Sequence, residues 1–596
     1  MENKMIKMLL KVVILGLFIG LNAPAFADET ENLHQLFADE WAQRLEDNPL
    51  TATYTGAEGY NDKLRSVTPE TNQRQMEQDQ AFLDRLNAID RSALSVSDQV
   101  NYDLFAYTLE SNISLGAFRG WRVPFLADFG FYSEVMSLAD NVPLRTVKDY
   151  EDYIARLNEA PRFFAENITN MQTGIAEGFI APRVIVGRVI PALETQLYES
   201  AEDSSYFAPF NDFPGTFGDD AKARLSAAGK TVIEESVLPA FRDLYDFFVD
   251  EYEPASRDSI GISDAPGGGE YYAALVKNYT TLDITPDEIH QIGLDEVLRI
   301  RSEMEAIIDR LGFEGSFAEF LEFLRTDPQF YAQTPRQLLA EASYHAKRID
   351  GQMPKFFGNL PRLSYGVRAV PDDIAPAYTT GRYWGGSLKN GIAGNYMVNT
   401  YALDKRPLYT LPALTLHEGV PGHHHQISLT QEMEGVPEFR KNMYLSAFGE
   451  GWGLYTEKLG VEMGIYEDDY QNFGRLTYEM WRAGRLVVDT GIHWRGWSRE
   501  DAVALFVENS ALSTHNINTE VDRYISWPGQ ALSYKMGELK IWELRRRAEE
   551  ALGVDFDIRD FHDAILANGS IPLSLLEKKI DEFIAENQIQ NQTQGE

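Results

Sequence analysis

Cysteine is absent from all 596 residues, which excludes disulfides, thiolate metal ligands, a thiol nucleophile and an acylated N-terminal cysteine. Any bound metal must be held by nitrogen and oxygen. Basic residues are scarce: 54 Lys and Arg stand against 91 Asp and Glu, a net charge of −37. So acidic a surface repels phosphate backbones and anionic headgroups, so nucleic acid and anionic lipid are not expected partners. Beyond the N-terminus no run is long and apolar enough for a transmembrane helix, and no stable membrane insertion is expected. Histidine is rare as well, ten in total, yet four stand close together at positions 417, 423, 424 and 425.

At the N-terminus a basic start (Lys4, Lys7, Lys11) leads into the apolar run "VVILGLFIGL" and then Ala25-Phe26-Ala27 before Asp28. That order is the three-part form of a secretory signal peptide over residues 1–27, so the mature chain is expected to start at Asp28 and to be periplasmic or extracellular.

Helical periodicity dominates the rest. "PDEIHQIGLDEVLRIRSEMEAIIDRLG" (286–312) places apolar residues three and four apart, acids at its start and Gly at its end. Similar patterns cover 147–175, 219–251, 334–350, 434–464, 467–490 and 530–551. Residues 363–400 differ: alternating, aromatic and Gly-rich, they read as short strands of a small sheet beside the His cluster. "DAPGGGEYY" (264–272) lacks the spacing and the Lys of a phosphate loop and reads as a turn. Fold class is thus mainly α with a small β-sheet next to the cleft. Length favours more than one lobe: an N-terminal helical lobe over 28–265, a C-terminal catalytic lobe over 266–585, and a disordered tail over 586–596.

The cluster is "HEGVPGHHHQ" (417–426). A His followed by Glu opens the zinc-hydrolase motif, whose second His stands four residues on because about 400° of helical turn returns it to the same face. Position 421 is Pro instead. On an unbroken helix His423 would point about 120° away from His417 and His424 would lie about 10 Å further along. Pro421 forbids that helix, and Gly419 and Gly422 can adopt the dihedrals of a detour. Gly-Val-Pro-Gly therefore reads as a two-residue insertion returning a later His, His423 or alternatively His424, to the face of His417. A plain hydrogen-bonded core role, usual for a lone His, is weakened by four of them so close together.

A catalytic zinc needs a third protein ligand and an open position. "LSAFGEGWGLYTEKLG" (445–460) offers Glu450 among Gly449, Gly451 and Gly453, where a neighbouring helix can approach. Glu457 suits orientation of a ligand His, or serves as alternate ligand, or is merely a solvated carboxylate beside Lys458. Glu418 is then the general base, taking a proton from water that zinc acidifies. The segment 514–537 supplies His515, Arg523, Tyr524, Tyr534 and Lys535. Tyr524 and Tyr534 are candidate oxyanion donors and Arg523 a candidate clamp for a substrate carboxylate, each singly as compatible with packing.

With "GEGWGLYTE" and "EVDRYISWPGQALSYKMG", the string "HEGVPGHHHQ" resembles the bacterial domain-of-unknown-function family 885. "DYEDYIARL", "TTLDITPDEIHQIGLDEV" and "DTGIHWRGWS" extend the likeness over nearly the whole mature chain. The resemblance implies a zincin-like helical fold and a zinc peptidase role; similarity to zinc aminopeptidases around "GEGWGLYTE" supports Glu450 as ligand. The expectation is an exported peptidase with one Zn2+ per chain, held by His417, His423 and Glu450, cutting short peptides. Rival readings are a periplasmic protein that binds metal without turnover, and a metallohydrolase of esters or non-peptide amides.

Overall fold

Helices in this chain begin and end where side chains satisfy the free backbone groups of their termini. In Pro286–Leu311 the Thr285 hydroxyl accepts from the N–H of Glu288, whose carboxylate accepts from the N–H of Thr285. Pro286 opens the first turn where no donor is needed, and Gly312 closes it at φ 64°. The computed structural model describes residues 23–594 except 373, 389 and 390. Residues 1–22 of the expected signal peptide lie outside the described residues, while Ala23 to Ala27 open a helix that runs to Asp47.

The chain is mainly helical with one small sheet, as its periodicity predicts. Two expected helices are divided. Residues 147–175 form Val147–Asn158 and Ala160–Glu177, which part just ahead of Pro161. Residues 434–464 form only the short Glu438–Lys441 and the long Ser446–Glu462. The sheet holds β1 (Tyr365–Ala369), β2 (Gly381–Trp384) and β3 (Gly394–Val398) in the order β1-β3-β2. β1 runs parallel to β3 with Tyr365 opposite Gly394; β2 runs antiparallel with Gly381 opposite Val398. The tail expected to be disordered is helical as far as Gln594, in continuation of a helix that starts at Leu573.

The apolar cores draw on both sides of residue 265. One joins Phe163 and Phe241 to Val488 and Tyr524. Another joins Leu33 and Phe105 to Trp452, Leu544 and Ile580. Asp469–His493 enters the first of these through Tyr478, Trp481, Val488 and Ile492 and is buried continuously from Phe473 to His493. Helices buried all round are usually apolar, yet this one carries Arg475, Glu479, Arg482, Arg485 and Asp489. On one side Glu479 belongs to a closed ion cluster in which Lys535 Nζ lies 2.8 Å from Glu296, 3.0 Å from Glu479 and 2.7 Å from Glu538. The two remaining arginines face a cavity. Among the described residues no helix is long and apolar enough to cross a membrane.

Candidate metal centre and its cavity

Helix Leu411–Glu418 delivers His417 and Glu418 at its last two positions and then stops. The Gly419 N–H still bonds to Thr415 O (2.9 Å), the Val420–Pro421 peptide is cis, and the Gly422 N–H reaches back to Leu416 O (3.0 Å). A new helix starts at His423. A Cβ at Gly422 would lie 1.9 Å from His417 O, so the fold-back closes only over glycine. The Trp452 indole N–H pins the loop by donating to Pro421 O at 2.7 Å.

This detour brings the rings of His417 and His423 to 4.7 Å between centroids, nearly perpendicular. Helix Ser446–Glu462 adds the carboxylate. Glu450 Oε2 lies 3.3 Å from His417 Nε2 and 3.5 Å from His423 Nε2. The helix comes this close because it presents glycine: Gly453 lies under the His417 imidazole and Gly451 against the backbone of Gly537. One turn beyond Gly453, Glu457 Oε1 holds His417 Nδ1 at 2.8 Å and is almost fully buried. It is thus neither a ligand nor a solvated carboxylate; it fixes the tautomer that leaves Nε2 facing His423 and Glu450.

His417, His423 and Glu450 form a group that could hold a metal ion, with ligand atoms all within 4.8 Å of one another. Around a tetrahedral ion with bonds of about 2.0–2.1 Å, ligand atoms stand roughly 3.4 Å apart. The two distances to Glu450 match that edge. Burial opposes charge on His417, but Glu450 and Glu457 outweigh it and push its pKa up to about 10. Glu450, despite burial, is held well below the usual carboxylate range by His417 and His423.

His424 is turned the other way. Its Nδ1 meets the Tyr383 hydroxyl (2.9 Å) and its Nε2 donates to Leu363 O (3.0 Å), and burial pushes its pKa down to about 4. His425 bonds through Nε2 to Asn359 O at 3.1 Å. Both neighbours of His423 are pieces of the wall.

The three residues open onto a cavity of about 540 Å³. Glu418 lies at its edge, with Oε2 accepting from the Tyr383 N–H of β2 at 2.8 Å. Tyr534 and Arg523 also line it, with Arg523 donating to Gln530 Oε1 at 2.9 Å. Tyr524 does not line it. Its oxygen accepts from Trp481 Nε1 and Arg485 Nε and its proton goes to Glu520, all at 2.8 Å. That hydroxyl is fully used inside the wall, so the oxyanion role read from sequence fails for Tyr524. His515 is exposed and Lys535 sits in the closed ion cluster; neither reaches the cavity.

The sequence reading passed over Arg482 and Arg485, three apart on Asp469–His493 and flanked by Tyr478 and Trp481. It also passed over Tyr444, whose hydroxyl donates to Glu450 Oε1 at 3.4 Å.

A family model described as bacterial protein of unknown function (DUF885) matches residues 49–580. The chain belongs to DUF885. Among solved structures it is similar to the "putative lipoprotein" from Colwellia psychrerythraea, with TM-score 0.88, 26% identity, and coverage of 94% of this chain and 100% of the other. It is also similar to a "putative lipoprotein of unknown function" from Shewanella oneidensis, with TM-score 0.72 at 17% identity over 92% of this chain and 99% of that one. No curated protein matches.

Proposed function

We propose that this chain is an exported zinc-dependent peptidase acting on short peptides. The observation that carries the reading is the convergence of His417 Nε2, His423 Nε2 and Glu450 Oε2 beside Glu418, in a cavity within the roughly 300–1,000 Å³ usual for small-ligand sites. Two imidazoles and one carboxylate are the donor set of catalytic zinc hydrolases and leave a position open. Bound there, zinc would supply Lewis acidity and lower the pKa of water.

The chain's own groups do the rest. Glu418 is anchored through Oε2 by the Tyr383 N–H, which leaves Oε1 to take a proton from water and pass it to the leaving amine. Tyr534, lying against the Arg523 guanidinium, is positioned to donate to an oxyanion. Tyr478, Trp481, Trp527 and Tyr534 line the cavity with aromatic surface, and its volume suits a short peptide. The N-terminal leader supports export, and the lack of cysteine leaves no thiol for lipid attachment.

Metal analysis of purified protein, followed by a peptide-library digest with wild type and Glu418→Gln, tests the reading. The variant is expected to keep its zinc and lose about 10²–10⁴-fold in kcat/KM. A protein that binds zinc and cuts no peptide at all would point to a metal-binding protein without turnover; cleavage confined to esters would reassign the substrate.

A further inference from the structure

In a chain of net charge −37 the cavity is lined by four arginines, Arg382, Arg482, Arg485 and Arg523, against three carboxylates, Glu418, Glu450 and Glu520. The arginines are not equivalent. Arg382 is exposed on β2 and keeps its hydration. Arg523 spends its guanidinium on Gln530 and on Glu520 at 3.6 Å. Arg482 and Arg485 are more than nine-tenths buried.

Arg485 commits Nε to Tyr524 and Nη2 to Glu520 at 3.1 Å, and its Nη1 has no partner among the described residues. Arg482 commits nothing firmly: among the described residues Nε and Nη1 have no partner, and Nη2 stands 3.8 Å from Glu457 Oε1, beyond hydrogen-bond length. Its guanidinium lies instead over the rings of Tyr478, Trp481 and Tyr534, at 4.8, 4.6 and 5.8 Å. Aromatic faces hold a cation in place while leaving its N–H groups unsatisfied, and a buried, charged, unsatisfied donor is costly unless something enters to meet it. Planar forks of N–H groups on successive turns of one helix match a carboxylate.

Resting on the peptidase reading, we propose that Arg482, with Nη1 of Arg485, forms a carboxylate-binding subsite for the substrate. The subsite is close to the metal centre. Glu457 Oε1 lies between Arg482 Nη2 and His417 Nδ1, so a single carboxylate separates the guanidinium from a ligand imidazole. A carboxylate seated here belongs to a residue near the scissile amide. Its source is either the C-terminus of the peptide, which makes the enzyme a carboxypeptidase or dipeptidase, or an acidic side chain next to the cut.

Binding separates the subsite from the chemistry. Zinc-loaded Glu418→Gln protein is titrated calorimetrically with three probes: N-acetyl-trialanine, its C-terminal amide, and an amide-capped acetyl-tripeptide ending in glutamate. At least tenfold tighter binding than the amide by the free acid alone identifies the C-terminus as the source; the same advantage for the capped glutamyl peptide alone identifies the side chain. In Arg482→Gln either preference is expected to fall below threefold, and Arg482→Lys is expected to restore part of it. Binding of both carboxylate probes no tighter than that of the amide, or a preference that survives Arg482→Gln because the zinc itself takes the carboxylate, would each overturn the subsite. The three-probe comparison needs no arginine variant, so misfolding of one does not decide the result. A clear preference for carboxylate in a protein that never cleaves would sink the peptidase reading and leave the subsite standing.

Discussion

Gly453→Ala isolates the packing that aims His417. The added Cβ would fall 2.7 Å from Cε1, 2.8 Å from Nε2 and 3.0 Å from Nδ1 of that imidazole. Carbon contacts settle near 3.5–4.0 Å, so the ring must retreat by about 0.7–1 Å. It has little room to do so, because Nδ1 is tied to Glu457 at 2.8 Å. The helix carrying Gly453 is held in turn, since Gly451 meets the Gly537 backbone where a Cβ would approach to 2.5 Å. Metal–ligand distances tolerate about ±0.2 Å. Disturbing a group that only orients a ligand costs about 10–100-fold in metal affinity, and here the ligand itself moves, so a loss of at least ~100-fold, about 2.7 kcal/mol, is expected. The fold should change little: better helix propensity contributes about 1 kcal/mol and overpacking removes about 1–3. Zinc affinity by competition with a chromophoric chelator, beside thermal melting of the metal-free protein, reads both. A folded Gly453→Ala binding zinc within threefold of wild type would refute the argument.

Three further outcomes follow from the same geometry. His423→Ala should lose the metal, whereas His424→Ala should keep it and lose about 1–3 kcal/mol in chemical denaturation, because Tyr383 and Leu363 O lose their partner; metal loss in His424→Ala would reverse the ligand assignment. Metal-free protein holds a proton on His417, whose pKa is pushed up from the ordinary 6.5 to about 10. At pH 8 zinc must displace that proton, so apparent affinity should rise with pH up to about 10 and calorimetry in buffers of different ionisation enthalpy should find about one proton released; no release would contradict it. The same charge stabilises the metal-free fold below pH 6.5, a contribution lost as pH rises towards 10. Tyr524→Phe removes one hydroxyl from three buried partners and should lower stability by about 1–3 kcal/mol; unchanged denaturation midpoints would show that the hydroxyl is not the hub of that wall.

What the sequence made legible was local. Thr285, Pro286, Glu288 and Gly312 announce a helix because each satisfies a specific terminal group. Pro421 between two glycines announces a fold-back because no helix can continue through it. The choice of His423 over His424 was not settled there, since the direction of return depends on where Trp452 and helix Ser446–Glu462 stand. Tyr524 and Arg485 were misjudged or missed for one reason: whether a polar side chain on a helix meets a cavity or a partner is decided by elements remote in sequence. The expected helix over 434–464 is helical only over Glu438–Lys441 and Ser446–Glu462; between them Tyr444 leaves the helical path and its ring takes the space a Cβ would fill at Gly449. The tail misled because a Gln- and Asn-rich stretch looks like solvated coil, while the helix it extends is anchored upstream by Leu576 and Ile580 in the core.

Glu450, Gly453 and Glu457 succeed one another at steps of three and four, so a ligand, a gap and a buttress share one stripe of one helix. Inserting or deleting a single residue between 450 and 457 would twist the lower part by about 100° against the upper and part the three functions at once. The length of this segment is therefore as strictly set as its composition.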